Sequence, residues 1–558
     1  MDRRTLIFIT VSVLIVVLYQ EMVLKRLPQP PSVEAPVQTR RPDLTSRDLE
    51  KRSPESTAGP TAVEPVPNAK LDEPIAETAT LEGRDITVET DLYSAVFSTL
   101  GGRLKSFTLK SFRATNEPGS PPLELIEPGP ESDLPMGLEL RGAQVWADTR
   151  VVYQASSDLL EITGDQEKTL ELRAQIAGQP LVKRLTFRGD AYPIRLQLET
   201  PAASALPKEI VTPGADALPA AVALGWAKTI HPTKSQVFEG SAALVNGKLV
   251  LTGLDGLEKQ ETLTGAIAWA GFEDHYFLSA AAPDHATAVV LRARGSTIET
   301  KILTPREGDG APQVEYTLFL GPKELKILEA AGHDLERGMN LGWFGPISLL
   351  LLRVLNLSHR VTGNYGVDII LLTCLVKIAF WPLTAKSFKS MREMQKLQPE
   401  MQKLREKYKD DAKQMNTEIM ELYKRHKVNP LGGCLPMVLQ IPVFFGLYQL
   451  LANTIQLRHA PFLLWIHDLS APERFDVMGY GIPVLTLLLG ASMFLQQRMT
   501  PPTGDPTQQK IMMFMPLIFT FMFIGFPAGL TLYWLTNNVL TIAQQYFAIR
   551  DVPKPAPA

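Results

Sequence analysis

Hydrophobic and polar positions follow three different patterns along this chain. Over residues 84–328 short runs rich in β-branched and aromatic residues, such as KRLTFRG, YPIRLQLET and SAALVNGKLVLTGL, are broken by Gly, Pro, Asp and Asn. That is the signature of strands joined by turns, and its length predicts one large antiparallel β-sandwich, bounded here at residues 84–335, with a proper core. Residues 6–18 and most of the chain after 341 form continuous apolar runs instead. The third pattern, in residues 386–427, repeats apolar residues every three or four positions, as helices do.

One apolar run of membrane-spanning length, residues 365–383, YGVDIILLTCLVKIAFWPL, carries Lys377 inside it. At about 1.5 Å per residue it is nearly 30 Å long, enough to cross a hydrocarbon core. An ammonium group there costs roughly 2.5 to 3.5 kcal/mol on insertion scales, so it marks a functional position unless it snorkels to the interface. Asp368 lies nine residues away, about 13 Å along the same helix, and the other apolar runs hold no acid between their flanks. Lys377 therefore has no predicted counter-ion.

The remaining apolar runs predict spans at residues 1–24, 435–456, 479–498, 511–526 and 530–548, which with 364–384 makes six. The first begins MDRR and lacks a small-x-small cleavage pattern, so it reads as an uncleaved anchor with its N-terminus in the cytoplasm. Ten prolines between residues 28 and 80 make 25–83 an extended, disordered tether. Residues 341–361 read as an amphipathic interfacial helix opened by Pro346, with Ile347, Leu350, Leu351, Val354 and Ser358 on one face and Arg353, Asn356 and Arg360 on another.

Charge then sets orientation. Residues 386–427 hold twelve Lys and Arg against seven Asp and Glu, which places the expected helical hairpin at 385–430 in the cytoplasm. Pro399 divides it, and Met401, Leu404, Tyr408, Met415, Ile419 and Leu422 form its expected seam. Met391, Met394, Met401, Met415 and Met420 suit either that seam or an adaptable contact surface for apolar segments. Alternation puts the β-domain and the 457–478 loop outside, and the 499–510 loop and the 549–558 tail inside. Gln440, Gln496, Gln497, Asn537, Asn538, Gln544 and Gln545 then lie at the depth of Lys377, with Thr373 one turn deeper. Together they predict a hydrophilic cavity open to the cytoplasm, or else interhelical hydrogen bonding. Gln449, Asn453 and Gln456 lie in an outer half and fit neither.

The chain is 45% apolar and 21% charged with a net charge of −3, so no basic excess points to nucleic acid. Its two cysteines, Cys374 and Cys434, make neither a disulfide framework nor a metal site. His231, His275 and His285 share no catalytic motif, and no phosphate-binding loop supplies energy.

The segments LVKIAFWPLT, KVNPLGGCLPMVLQIPVFFGLYQLL, APFLLWIHDLS, DPTQQKIMMFMPLIFTFMF and FPAGLTLYWLTNNVLTIAQQ resemble the YidC/Oxa/Alb family of membrane protein insertases, in its Gram-negative form with a large periplasmic domain. SAVFSTLGGRLKSF resembles the opening of that domain and implies a supersandwich like that of sugar mutarotases, without their activity. The fold class expected is thus a polytopic α-helical membrane protein of six transmembrane helices, with an all-β periplasmic sandwich and a cytoplasmic helical hairpin. The resemblance implies a substrate groove of Lys377, Thr373, Gln440, Tyr533, Trp534 and Asn537, and an apolar slide of Met437, Ile441, Pro442, Met512, Met515 and Pro516. The family usually has arginine where Lys377 stands, so the charge is kept and the bidentate fork is lost. It further implies an inner-membrane location, no enzyme activity, no cofactor or metal, and nascent membrane proteins, membrane lipid, the Sec translocon (SecYEG, SecDF-type) and the ribosome or signal recognition particle as partners. A secondary transporter or channel is the alternative; no inverted repeat or paired intramembrane charge supports it. An enzyme acting through the β-domain is a third reading, and it would need a catalytic pair.

Overall fold

A computed structural model of the chain describes residues 83–126, 133–141, 145–202, 221–231, 238–257, 260–306, 313–409, 411–426, 428, 435–499 and 506–550. The anchor expected at 1–24 and all of the expected tether but Gly83 lie outside these residues. The β-rich part forms sheets of five, nine and six strands. Pairing is antiparallel except for Asp85–Glu89 against Leu159–Glu161. Alternation explains the layering: in Ile194–Glu199, Ile194, Leu196 and Leu198 are buried while Arg195 and Gln197 are exposed.

At the centre of this core is a charge cluster. Asp148 and Lys183 are fully buried, and every oxygen of the carboxylate is used. Oδ1 accepts from Arg103 Nη2 at 2.9 Å and from the Leu138 amide at 3.1 Å, while Oδ2 accepts from the Tyr153 hydroxyl at 3.1 Å and lies 2.7 Å from Lys183 Nζ. Lys183 Nζ also donates to the carbonyls of Gly101 and Met136, at 2.7 and 2.9 Å. The turn that presents the Gly101 carbonyl has φ of 68° and 55° at Gly101 and Gly102, which favours glycine, and a Cβ at Gly102 would press on the lysine stem. Burial pulls the Lys183 ammonium down to about 8, more than its attraction to Asp148 restores.

Nine helices are described. After α1 (Leu325–Ala331) and a 3₁₀ turn at Leu335–Met339 come α2 (Gly345–Thr362) and α3 (Tyr365–Lys396). Two shorter helices, α4 (Gln398–Lys407) and α5 (Ala412–Arg425), precede α6 (Leu435–Asn453), α7 (Val484–Met499), α8 (Pro506–Phe523) and α9 (Ala528–Arg550). Among the described residues, one stretch, Tyr365–Ser390 of α3, meets the length and hydropathy needed to cross a membrane. α3 runs on past the boundary expected at 384, because Pro382 does not break it. Its start is capped by Asn364, whose Oδ1 accepts from the amides of Gly366 and Val367.

α2 packs one face against the rest of the protein. Ser348, Leu351, Leu352 and Leu355 are buried, whereas Leu350, Leu357 and Val361 are exposed beside Arg353 and Arg360. The residues of α4 and α5 enclose a small core of Leu397, Leu422, Tyr423 and Val428, lined by Met394, Met401, Leu404, Ile419 and Met420. Three of the five methionines singled out above thus pack within the helix pair. Residues 479–483 begin no helix: Phe475–Val477 and Tyr480–Ile482 pair as a hairpin, and Pro483 follows.

The β-domain grips the loop between α6 and α7. Arg458 Nη2 donates to the Arg113 carbonyl at 2.7 Å with its guanidinium over the Phe277 ring, and Asn116 Nδ2 donates to the His467 carbonyl at 3.1 Å. His275 Nε2 donates to the carbonyl of Ala452, in the last turn of α6. Burial lowers the pKa of this imidazole, and the bond to the Ala452 carbonyl opposes part of that shift.

Asp148→Asn removes the one acid that balances Lys183 and Arg103, and the loss of a partner to a buried charge is worth about 3–5 kcal/mol. Thermal unfolding of the full chain should show the β-domain transition falling accordingly; an unchanged midpoint would mean the cluster is not the centre of that core.

Candidate functional site

α3, α6 and α9 meet around one line of polar side chains. Lys377 Nζ donates to Thr541 Oγ1 at 2.7 Å, and that hydroxyl donates in turn to the Asn537 carbonyl one turn earlier, at 2.6 Å. Asn537 Oδ1 accepts from Gln440 Nε2 at 3.0 Å, and the Tyr533 hydroxyl is hydrogen-bonded to Gln440. Three helices are thereby stitched together at one level. On α9 the positions 533, 537 and 541 recur every four residues and share a face, which is why one helix can present all three.

No carboxylate lies within ion-pairing distance of Lys377 among the described residues. Asp368, the nearest acid in sequence, is fully buried and committed elsewhere: it accepts from Thr362 Oγ1 at 2.6 Å and lies 2.8 Å from His359 Nδ1. His359 also stacks on Tyr365 with ring centroids 3.6 Å apart. These bonds tie the last turn of α2 to the first turn of α3.

The other expected groove residues divide. Thr373 is buried and bonds the Ile369 carbonyl of its own helix at 2.6 Å, so its hydroxyl is not offered to the polar line. Trp534 sits in an aromatic cluster with Phe444, Phe519 and Phe523, at 4.7, 6.2 and 5.0 Å between centroids, where α6, α8 and α9 converge. Asn538 turns to α7 and donates to Ser492 Oγ at 3.4 Å. Gln544 and Gln545 are buried with side-chain oxygens that have no partner among the described residues. Of the outer-half amides, Asn453 Nδ2 donates to the backbone and side chain of Gln449, which lies against Gly342 below the β-domain.

The expected slide is split in the same way. Ile441 and Met515 are exposed, Pro442 is half-buried, and Pro516 is buried, with its carbonyl accepting from Thr520 Oγ1. Met437 and Met512 lie on α6 and α8, and their side chains fall outside the described residues. Met513, Phe514, Leu517, Ile518, Phe521 and Met522 leave α8 with a broad apolar surface that no other described helix covers. Sequence reasoning did not pick out Thr541. Its spacing from Asn537 was the available signal, but the pairing to Lys377 joins residues 164 positions apart.

Family models match both halves: one described as "YidC periplasmic domain" over residues 85–354, and one described as "60Kd inner membrane protein" over residues 357–555. A membrane protein insertase YidC of Syntrophus aciditrophicus (strain SB) is 37% identical over 98% of this chain and 99% of its own length. The chain belongs to the YidC family of membrane protein insertases. A YidC of Geobacter sulfurreducens is 42% identical over 83% of this chain and 86% of that protein. Among solved structures, an active YidC insertase with its first transmembrane domain resolved aligns over 83% of this chain and 92% of its own, with TM-score 0.37 and 18% identity. As in the rest of the YidC family, the β-rich half is the periplasmic domain and the protein belongs to the inner membrane.

The Gln440–Asn537 bond can be weighed directly. A double-mutant cycle with Gln440→Leu and Asn537→Leu, read by thermal unfolding of the full chain in detergent, should give a coupling of about 0.6 kcal/mol. Zero coupling would separate the two amides.

Proposed function

We propose that the chain inserts and helps fold inner-membrane proteins, alone or beside the Sec translocon, by drawing a substrate's hydrophilic segment into the polar line around Lys377 and releasing its apolar segment along α8. The observation that carries this reading is an ammonium group bonded to a hydroxyl rather than to an acid, at the depth of a membrane-length helix. A permanent ion pair there would already be satisfied. Lys377 instead keeps capacity to attract an acidic residue of the passing segment, offsetting part of that residue's desolvation.

The organisation that goes with this function has six spans, at 1–24, 364–384, 435–456, 484–499, 511–526 and 530–548. Both termini and the basic α4–α5 pair lie in the cytoplasm, and the β-domain lies in the periplasm. Tyr533, Gln440, Asn537, Lys377 and Thr541 form the groove, and the exposed apolar face of α8 with Ile441 forms the slide. Transfer of the substrate's apolar surface to lipid, at about 25 cal/mol per Å², supplies the drive, so the process needs neither a cofactor nor covalent chemistry. Nascent membrane proteins are the substrates, and the α4–α5 pair is the docking point for the ribosome or signal recognition particle.

If charge is what matters at Lys377, Lys377→Arg should stay active, and Lys377→Ala should lose insertion chiefly of substrates with acidic translocated segments. Lys377→Glu should be worse for those substrates, because repulsion in a poorly screened site replaces attraction. The readout is protease protection of radiolabelled substrates in proteoliposomes; equal insertion of an acidic substrate by Lys377→Glu and the parent would refute the electrostatic role. Orientation is checked separately by reporter fusions: one after Ala471 should read periplasm and one after Gly504 cytoplasm. A reversed result for either would overturn the topology.

A further inference from the structure

The loop between α6 and α7 carries two apolar tips that no described residue covers. Leu464 is 82% exposed with Leu463 beside it, and Met478 is 95% exposed with Tyr480 beside it. Both tips also hold an unfavourable backbone: φ is 57° at Leu464 and 54° at Met478, in the left-handed region where Gly, Asn and Asp are the usual residues. Met478 and Gly479, with φ of 54° and 83°, form the two-residue turn between paired Val477 and Tyr480, a geometry that favours Asn-Gly. In water, asparagine would suit both positions better on backbone and side-chain grounds alike.

The framework under the tips is rigid and fixes their level. Asn364 Nδ2, one residue before α3 begins, donates to the Phe462 carbonyl at 3.2 Å, and Phe462 packs on Gly366 in the first turn of α3. Trp465 stacks edge-on to Phe475 and donates through Nε1 to Glu473 Oε2. Glu473 Oε1 accepts from the Thr486 amide in the first turn of α7, and Arg474 Nη2 donates to the Ile524 carbonyl just past the end of α8. The loop is thus bonded to α3, α7 and α8 at the ends nearest the β-domain. Past Pro483, its surface runs directly into the exposed Leu487 and Leu488 of α7.

We infer that Leu463, Leu464, Met478 and Tyr480 are buried in the outer leaflet of the membrane, at the boundary between head groups and acyl chains, and anchor the periplasmic loop there. Burial of apolar side chains offsets the left-handed conformation, and tyrosine suits that boundary because its ring is apolar and its hydroxyl polar. The lipid surface is favoured over a protein partner because the tips stand where three helices end and continue an apolar helix face. The inference rests on the orientation proposed above, in which this loop is periplasmic.

The test uses the full chain in nanodiscs of phosphatidylethanolamine and phosphatidylglycerol, with Cys374→Ser and Cys434→Ser as background. A polarity-sensitive fluorophore on Met478→Cys should emit to the blue of the same probe on Asp165→Cys, and should be quenched by lipids carrying a nitroxide near the head-group end of the chain. Emission and quenching matching those at Asp165→Cys would overturn the inference, as would a blue shift that appears only when solubilised membrane proteins are added. The combined variant Leu464→Asn, Met478→Asn separates the two environments by sign. It should lower the thermal midpoint in nanodiscs if the tips are in lipid; an unchanged or higher midpoint, as left-handed asparagine would give in water, counts against it. An impermeant thiol reagent added to spheroplasts should label Asp165→Cys. If that site stays unlabelled while the Met478 probe reads lipid, the orientation has failed and the outer-leaflet assignment falls with it.

Discussion

A charged side chain within a lipid-length helix must face a polar partner or water, because hydrocarbon offers neither. The helical half of this protein is arranged around the solution it gives to Lys377. The ammonium meets one hydroxyl, that of Thr541, whose own proton is bonded to a helix carbonyl. Through Asn537 and Gln440 the same line reaches α6. One helix face of α9 therefore serves two neighbours, α3 and α6, and what remains outward on α8 is almost wholly apolar.

The same rule explains the fate of Asp368. An acid so near in sequence could have neutralised Lys377, but it lies toward the other end of α3 and is held by His359 and Thr362. Those bonds close the corner between α2 and α3 and leave Lys377 bonded to a hydroxyl, with no acid partner among the described residues.

In the β-domain, charge is buried in the opposite manner. Asp148 is saturated by Arg103, Lys183, Tyr153 and a backbone amide, so nothing there is left to bind or react. A cluster so completely satisfied helps make the domain a stiff platform. Through Arg458, Asn116 and His275 that platform holds the α6–α7 loop, and the loop in turn is bonded to the ends of α3, α7 and α8. The periplasmic domain and the helices thus share one continuous set of contacts.

For these described segments the sequence by itself determined the class, because local periodicity carries that information: alternation in strands such as Ile194–Glu199, three- and four-residue spacing in α4 and α5, and an apolar run around Lys377. Motif resemblance was enough to name the family and to add Tyr533, and residue type was enough to single out Lys377, Gln440 and Asn537. Everything that depends on which face meets which neighbour was decided by tertiary packing. α2 buries Ser348 and Leu355 rather than Leu350, Thr373 spends its hydroxyl on its own helix, and Trp534 joins an aromatic cluster. The pairing of Lys377 with Thr541, the grip of His275 on Ala452 and the left-handed turn at Met478 were not legible in the sequence. A side chain's partner is set by the distance between helices and strands far apart in the chain, and that distance exists only once they have packed.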